Sequence, residues 1–287
     1  MKPPDPCILC GSKTFRLIFQ KNEWRYLRCR NCGLVHLFPR PSQEDLKENY
    51  NHYLPASPRE IEDWAEMMKP IISKSADLVD ARAGSHGKRL LDIGCGYGFF
   101  LSEMKARGWE VEGIEISPPG REYARSTLGL NIHSKPLEGL GLPEDTFDVI
   151  TLFYVIEHLM NPRDILTEVR RILRPDGLLL LRWPHTTPIV RLLGPLAKRL
   201  DLYHTPYHLF DFSPVTIKTL LKLTGFGEIE TRIGSYTRPP DRLGRWCSAF
   251  FGGFGEALWG LTRGRVLLPG VSKTTLAEDD HRKSHRI

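Results

Sequence analysis

Leu90, Leu91 and Ile93 form a short apolar run with an acid, Asp92, near its end, and three glycines follow at Gly94, Gly96 and Gly98. Apolar positions then resume at Phe99, Phe100, Leu101 and Met104 with helical rather than strand spacing. This pattern predicts a buried strand, a tight glycine turn and a helix. The two periods keep alternating downstream. EVEGIEI (110–116) reads as a second apolar strand with Glu115 at its end, Pro118 to Leu128 as a helix, and Asn131 to Ser134 as a short strand. FDVITLF (147–153) is a strand, and Asn161-Pro162 opens a helix whose buried face is Ile165, Leu166, Val169, Ile172 and Leu173. GLLLLRWP (177–184) is apolar enough for a strand covered on both faces. Ser213-Pro214 starts a helix to Leu223, and a strand follows over Phe226 to Ile233. Strand and helix alternating from 89 to 233 predict an α/β fold, a doubly wound, mostly parallel sheet with helices on both sides.

Before this region, Trp64, Met67, Met68, Ile71, Ile72 and Leu78 mark a helix over about Glu60 to Arg82, whose stripe reads as core. A shorter helix starts at Ser42 and ends at Tyr50 and Tyr53. At the N-terminus, Phe15, Leu17 and Phe19 alternate, as do Trp24 and Tyr26, which predicts a small hairpin. It is bracketed by Cys7-Ile-Leu-Cys10-Gly11 and Cys29-Arg-Asn-Cys32-Gly33. Four thiolates in two such knuckles close a tetrahedral zinc shell with no open position, so residues 1–38 read as a structural zinc ribbon. So short a segment needs its metal simply to fold. Folding and docking on its neighbour is the adopted reading, ahead of gripping a polymer or a partner.

Two stretches stand outside the alternation. PIVRLLGPLAKRLDL (188–202) is apolar with basic Arg191, Lys198 and Arg199, and Gly194 and Pro195 weaken any continuous helix there. It suits a lid over an acceptor, a peripheral membrane contact, or half of a dimer contact; nothing in the pattern assigns an oligomeric state. Trp246 to Leu261 is apolar, rich in glycine, and carries Phe250, Phe251, Phe254 and Trp259.

The 287 residues suit one large domain and a small one, and 41% hydrophobic with 26% charged residues is the balance of a soluble globular protein. The polar, proline-rich start and the lack of a long uncharged apolar run argue against a signal peptide or a spanning helix. Six cysteines, four of them in CxxC pairs, fit a reducing, cytoplasmic setting. The formal charge of +6 is mild, and zinc on four thiolates would lower it further. Charge therefore gives no argument for nucleic acid. Its local concentration, RKSHR (282–286), reads as a solvated tail.

A glycine turn followed by a distal acid describes a nucleotide site, because the turn offers backbone N–H groups and the carboxylate can accept both hydroxyls of a ribose. The dinucleotide fingerprint needs its third glycine one residue later than Gly98. DIGCGYG instead resembles motif I of the class I S-adenosylmethionine-dependent methyltransferases. FDVITLFYVIEHLMNP, RILRPDGLLLL and HLFDFSPVTIKTLLKLTGF look like a zinc-ribbon-bearing branch of that family, near its ubiquinone- and sugar-methylating relatives. The resemblance implies a seven-stranded sheet with an antiparallel last strand, placed near Val266 to Thr275. It divides the chain into the ribbon, a helical linker and cofactor cover (39–84), a methyltransferase domain (85–276) with an acceptor-side insertion (186–212), and a polar tail (277–287). It also implies the cofactor, S-adenosylmethionine. Gly94, Cys95 and Gly96 would face its amino acid part, within a turn completed by Gly98 and supported by Asp92. Glu115 would hold the ribose, Ile116 and Leu137 with Glu138 would meet the adenine, and Phe153 would lie under the sulfonium.

The methyl-transfer face would be lined by the residues after the fourth strand, Phe153 to His158. They contain no Asn/Asp-Pro-Pro-aromatic sequence of the kind that holds an amino group, which favours O- or C-methylation of a small metabolite: a sugar, a polysaccharide precursor, or a quinone- or lipid-like acceptor. His158 is the first candidate for general base, as an imidazole near its ordinary pKa. His208 is the second, with His185, His204 and Tyr207 also expected on the acceptor side. Glu157, His158, His204 and His208 together could hold a catalytic metal, but their spacing is not diagnostic and none is expected. Two other readings remain open: an RNA- or protein-modifying methyltransferase that uses the ribbon to hold its substrate, and a non-enzymatic module that binds the cofactor.

Overall fold

Alternating apolar residues at the N-terminus form β1 (Phe15–Lys21) and β2 (Trp24–Cys29), an antiparallel hairpin, and β3 (Val35–Phe38) pairs with β2. The computed structural model describes residues 4–42, 44–46, 54–83 and 88–279. The end of the short helix expected at Tyr50 and Tyr53 and the basic stretch 282–286 lie outside the described residues. Helix α1 (Pro58–Arg82) begins with proline in its first turn, where the missing N–H costs nothing. Then come β4 (Arg89–Ile93), α2 (Phe99–Ala106), β5 (Glu110–Ile114), α3 (Pro118–Ser126) and β6 (Asn131–His133). They are followed by β7 (Phe147–Phe153), α4 (Pro162–Ile172) and β8 (Leu173–Trp183).

The insertion after β8 holds two short helices, α5 (Thr187–Leu193) and α6 (Ala197–Leu200), and a two-residue strand, β9 (Phe210–Asp211). Gly194, at φ +52°, breaks the first from the second, as its place in the sequence implied. The chain ends with α7 (Pro214–Leu223), β10 (Phe226–Arg232), α8 (Arg242–Leu261) and β11 (Lys273–Asp279). Ser213 caps α7 by accepting from Thr216 N–H.

Seven strands make one sheet in the order β10-β11-β8-β7-β4-β5-β6, parallel except for β11, which runs antiparallel to both neighbours. Successive residues of the central strands enter opposite cores. Leu91, Ile150 and Leu179 pack on one face, Leu90, Val149 and Leu178 on the other, all essentially unexposed. Truncating any of them to alanine would cost about 2–5 kcal/mol.

Three elements differ from the sequence reading. β8 starts at Leu173 rather than Gly177: Phe147 pairs with Leu173 and Val149 with Leu178, so Arg174–Gly177 form an irregularity between two paired positions. The antiparallel strand is Lys273–Asp279, later than Val266 to Thr275, so Ala277 to Asp279 belong to the sheet and not to the tail. Its place was set back by α8, a glycine-rich stretch that is nonetheless a helix. Asp241 caps it by accepting from Gly244 N–H at 2.6 Å, and Gly252 and Gly255 face the body of the protein. Trp246, Phe250 and Phe254, one helical turn apart, stack along the exposed side.

The ribbon is tied to the insertion. β3 pairs with β9, which completes a four-stranded antiparallel sheet in the order β1-β2-β3-β9. The Tyr26 ring stacks on Tyr203 at 4.0 Å between centroids, and its hydroxyl donates to the His208 carbonyl at 3.0 Å. In the two knuckles Gly11 N–H donates to the Cys7 carbonyl and Gly33 N–H to that of Cys29. The sulfurs of Cys7, Cys10, Cys29 and Cys32 lie within 4.8 Å of one another. Sulfurs about 2.3 Å from one zinc ion would stand roughly 3.8 Å apart, so the cluster has the size of such a shell.

Candidate active site

The C-terminal ends of β4, β5 and β7 open on one cavity of about 780 Å³, the position where doubly wound sheets hold ligands. The glycine turn forms its floor. Gly94 has φ +73°, and a Cβ there would lie 2.4 Å from Val155 Cγ2, so no side chain fits. The N–H groups of Gly94 and Cys95 donate to the Ile114 carbonyl at 2.7 and 3.1 Å, which fixes the turn against β5. Glu115 follows β5. Its Oε2 accepts from Gly96 N–H at 2.8 Å and its Oε1 from Ser117 N–H at 2.6 Å. Each oxygen keeps a lone pair for a further donor. Burial pushes this carboxyl up, and the two N–H bonds oppose the rise.

Asp92 is buried, accepts from Thr151 Oγ1 at 2.7 Å, and is pushed up to about 8 by burial and the nearby Glu115 charge. That bond links the end of β4 to β7 beside the turn. Leu54, Trp64, Met67, Met68 and Ile72 cover the cavity from the N-terminal side. Much of the α1 stripe read as core is thus cavity wall.

The other half of the cavity is polar and buried. Glu157 and His158 follow β7, and the Glu157 carbonyl accepts from Leu209 and Phe210 N–H at 2.8 and 3.1 Å. That pair of bonds brings His208 beside them: the His158 and His208 rings meet edge to face at 4.8 Å between centroids. Exposed His204 stacks on His208 at 5.1 Å. His158 Nδ1 lies 3.0 Å from the Tyr207 carbonyl. A carbonyl only accepts, so Nδ1 carries the proton and Nε2 the lone pair. Burial pushes His158 down to about 4, not the near-ordinary value expected of a general base, and drives His208 lower as well. Glu157 is 1% exposed, and neither carboxyl oxygen has a hydrogen-bond partner. Burial, with the charge of Asp211, pushes it up to about 8. Asp211 accepts from Thr186 N–H at 2.8 Å and Thr187 N–H at 2.9 Å, which anchors the start of the insertion.

A family model described as a methyltransferase domain matches residues 59–230, more than half of the chain. The chain belongs to this methyltransferase family. The mitochondrial ubiquinone biosynthesis O-methyltransferase of Schizosaccharomyces pombe is 37% identical over 116 residues, 37% of this chain and 42% of the relative. The ubiquinone biosynthesis O-methyltransferase of Pseudomonas aeruginosa is 29% identical over 140 residues, 47% of this chain and 60% of the relative. The chain spans about half the length of the curated relatives it matches. Among solved structures, phosphoethanolamine N-methyltransferase 2 of Haemonchus contortus superposes with TM-score 0.57 at 15% identity, over 85% of this chain and 61% of that one. A SAM-dependent methyltransferase from Thermotoga maritima gives TM-score 0.53 at 18% identity, over 83% of this chain and all of that one. At these identities both speak for the fold.

Within this methyltransferase domain, Asp92, Gly94, Cys95, Gly96, Glu115, Ile116, Leu137, Glu138, Phe153, His158 and His208 all line this one cavity. Gly98 is not among the lining residues. It caps α2 at φ +79°, and a Cβ there would lie 2.5 Å from Leu130 Cδ1, so its work is local packing. Neither His185 nor Tyr207 lines the cavity; Tyr207 contributes its carbonyl to His158. One buried group escaped the sequence reading. Arg182 donates to the carbonyls of Ile233, Gly234 and Ser235, to Thr274 Oγ1, and through Nε to the Tyr154 hydroxyl at 3.1 Å. It thereby ties the cavity-lining Tyr154 to β8 and β11. A lone cation inside LLLLRW was the available signal.

Proposed function

We propose that the methyltransferase domain transfers the methyl group of S-adenosylmethionine to a hydroxyl oxygen of a small quinone- or phenol-like acceptor. One observation carries the reading: a single cavity joins the glycine turn and Glu115 to the buried Glu157–His158–His208 cluster. The residues fit the cofactor. Gly94 has no space for a side chain, Glu115 keeps lone pairs at the cavity, and apolar Leu137, Ile116 and Phe153 offer flat surface beside them. The similar proteins, O-methyltransferases of ubiquinone biosynthesis, support an oxygen acceptor of this kind.

The bound cofactor supplies a methyl group already activated by its positive sulfur, so the protein needs no covalent nucleophile. Gly94 to Gly96 would hold its amino acid part and Glu115 its ribose, which would fix the approach to the acceptor. Trp64, Met67, Met68 and Ile72 keep water from the reacting atoms. The hydroxyl proton must leave on the acceptor side, where Glu157, His158 and His208 are the buried ionisable groups. Neutral His158, held by Tyr207, presents an unprotonated Nε2 in that cluster.

Cys7, Cys10, Cys29 and Cys32 hold zinc as a structural ion, and all six cysteines are free of disulfides, which fits a reducing, cytoplasmic compartment. Among the described residues no helix is long and apolar enough to cross a membrane.

The test is a panel of catechols, hydroquinones and sugars incubated with the protein and S-adenosylmethionine, read by mass spectrometry. A methyl ether formed on a phenolic acceptor, with S-adenosylhomocysteine in equal amount, is expected. Turnover of sugars alone, or methyl groups found only on nitrogen, would overturn the acceptor class.

A further inference from the structure

The chain leaves β7 through a strained residue that lines the cavity. Tyr154 has φ +56°, a left-handed backbone that a bulky side chain adopts only when its surroundings hold it there. Its N–H donates to the Arg182 carbonyl at 2.7 Å, and its hydroxyl oxygen accepts from Arg182 Nε at 3.1 Å. One residue of β8 thus fixes both its backbone and its side chain. From these contacts we propose that the Tyr154 hydroxyl, positioned by Arg182, donates a hydrogen bond to the acceptor's oxygen and favours its ionised form.

Three features of the molecule point to this role. The first is the direction of the bond between the two side chains. A guanidinium only donates, so the phenol oxygen accepts and its own proton is left over. Among the described residues that O–H has no acceptor, while the half-buried side chain belongs to the cavity wall. A bound oxygen supplies the missing acceptor. The second is the charge behind it. Arg182 is 1% exposed, and its bonds end on neutral oxygens: three carbonyls, Thr274 Oγ1 and Tyr154. A buried cation is ordinarily paired with a carboxylate, and none of these bonds reaches one. The uncompensated charge polarises the hydroxyl it touches. The third is place. Phe153 and Val155 on either side also line the cavity, and Val155 closes over Gly94 of the glycine turn. Tyr154 therefore stands where the cofactor half meets the acceptor half.

The cavity has need of such a donor. Asp92, Glu115, Glu138 and Glu157 line it, and among the described residues no lysine or arginine does. Acids of this number oppose a second anion beside them. Resting on the methyl-transfer reading above, the acceptor's O–H bond breaks and its proton passes to water. The phenolate oxygen left behind is held by the Tyr154 O–H until it takes the methyl group from sulfur. Arg182, one hydrogen bond removed, offsets the new negative charge in a site where burial strengthens such interactions. Tyr154 then touches the reacting oxygen, and Arg182 is a positioning residue that acts through it.

Ionisation can be read without cofactor or turnover, which separates this inference from that reading. The full zinc-loaded chain is mixed with 4-nitrophenol, whose ionised form absorbs visible light. Bound to wild type, the probe should show an ionisation constant raised at least about tenfold over its value in buffer. Tyr154→Phe keeps the ring and removes the hydroxyl, and should cancel most of that rise. Arg182→Met should do the same. A Tyr154 that only packs would leave the probe's ionisation in Tyr154→Phe as it is in wild type. Unchanged zinc content and circular dichroism show that each variant has kept its fold, and should one not fold, the other decides. Wild type that leaves the probe no more ionised than buffer does, or folded variants that ionise it as fully as wild type, would overturn the proposal. An acceptor panel without turnover, beside a probe that wild type ionises and Tyr154→Phe does not, would strike the methyl-transfer reading and leave this site in place.

Discussion

Glu115 accepts two backbone N–H bonds and still faces the cavity, so its carboxylate serves the turn and a ligand at once. Replacing it with alanine should weaken S-adenosylmethionine binding by roughly 1–3 kcal/mol through lost charge-assisted bonds. Calorimetric titration reads this directly, and unchanged affinity would remove the ribose assignment. Asp92 makes a prediction in pH. Its carboxyl ionises from about 3.8 in the unfolded chain but holds its proton to about 8 in the fold. The folded state therefore binds more protons between these values, and stability falls as pH rises through the window. Asp92→Asn keeps an oxygen acceptor for Thr151 and removes this cost. The variant should gain on the order of 1–3 kcal/mol over wild type at pH 8 and nothing at pH 4. Thermal unfolding at the two pH values checks it; an equal shift at both would place the effect elsewhere. Gly94→Ala meets Val155 and a positive φ together, and should cost about 1–3 kcal/mol in denaturant unfolding. At this scale Asp92, Gly94 and Glu115 were legible because strand, turn and acid are contiguous in sequence. Glu157 was named only in a group whose spacing was not diagnostic, since its surroundings depend on Leu209 and Phe210 folding back from fifty residues away.

At the scale of elements, the ribbon and the insertion are one unit in space though far apart in sequence. β3 pairs with β9, and Tyr26 packs on Tyr203 and holds the His208 carbonyl. Losing zinc should therefore disturb the acceptor side as well as the first forty residues. In Cys29→Ser, hydrogen exchange should speed up over 24–38 and over 203–211, while 89–93 and 147–153 keep their protection. Acceleration confined to the ribbon would mean that the β3–β9 pairing does not depend on the metal. The ribbon's cysteines and hairpin were readable from spacing alone. Its docking was not, because a two-residue strand such as β9 carries no periodicity. α8 was hidden for a different reason: Gly252 and Gly255 lower helix propensity but allow close approach to Tyr236 and Ile233, and that packing lies outside any local pattern.

For the whole molecule, the alternation of periods gave the sheet, its parallel strands and the end at which ligands collect. The last strand was displaced because α8 occupies chain that the alternation left unassigned. The central claim is that the cavity at the strand ends is an S-adenosylmethionine site. Calorimetric titration of the purified zinc-loaded chain with S-adenosylmethionine and S-adenosylhomocysteine, with NADH as control, tests it most directly. The account predicts saturable one-to-one binding of the first two and none of the third. Folded protein that binds neither sulfur nucleotide would contradict it, and would leave the glycine turn and Glu115 as a fold without its ligand.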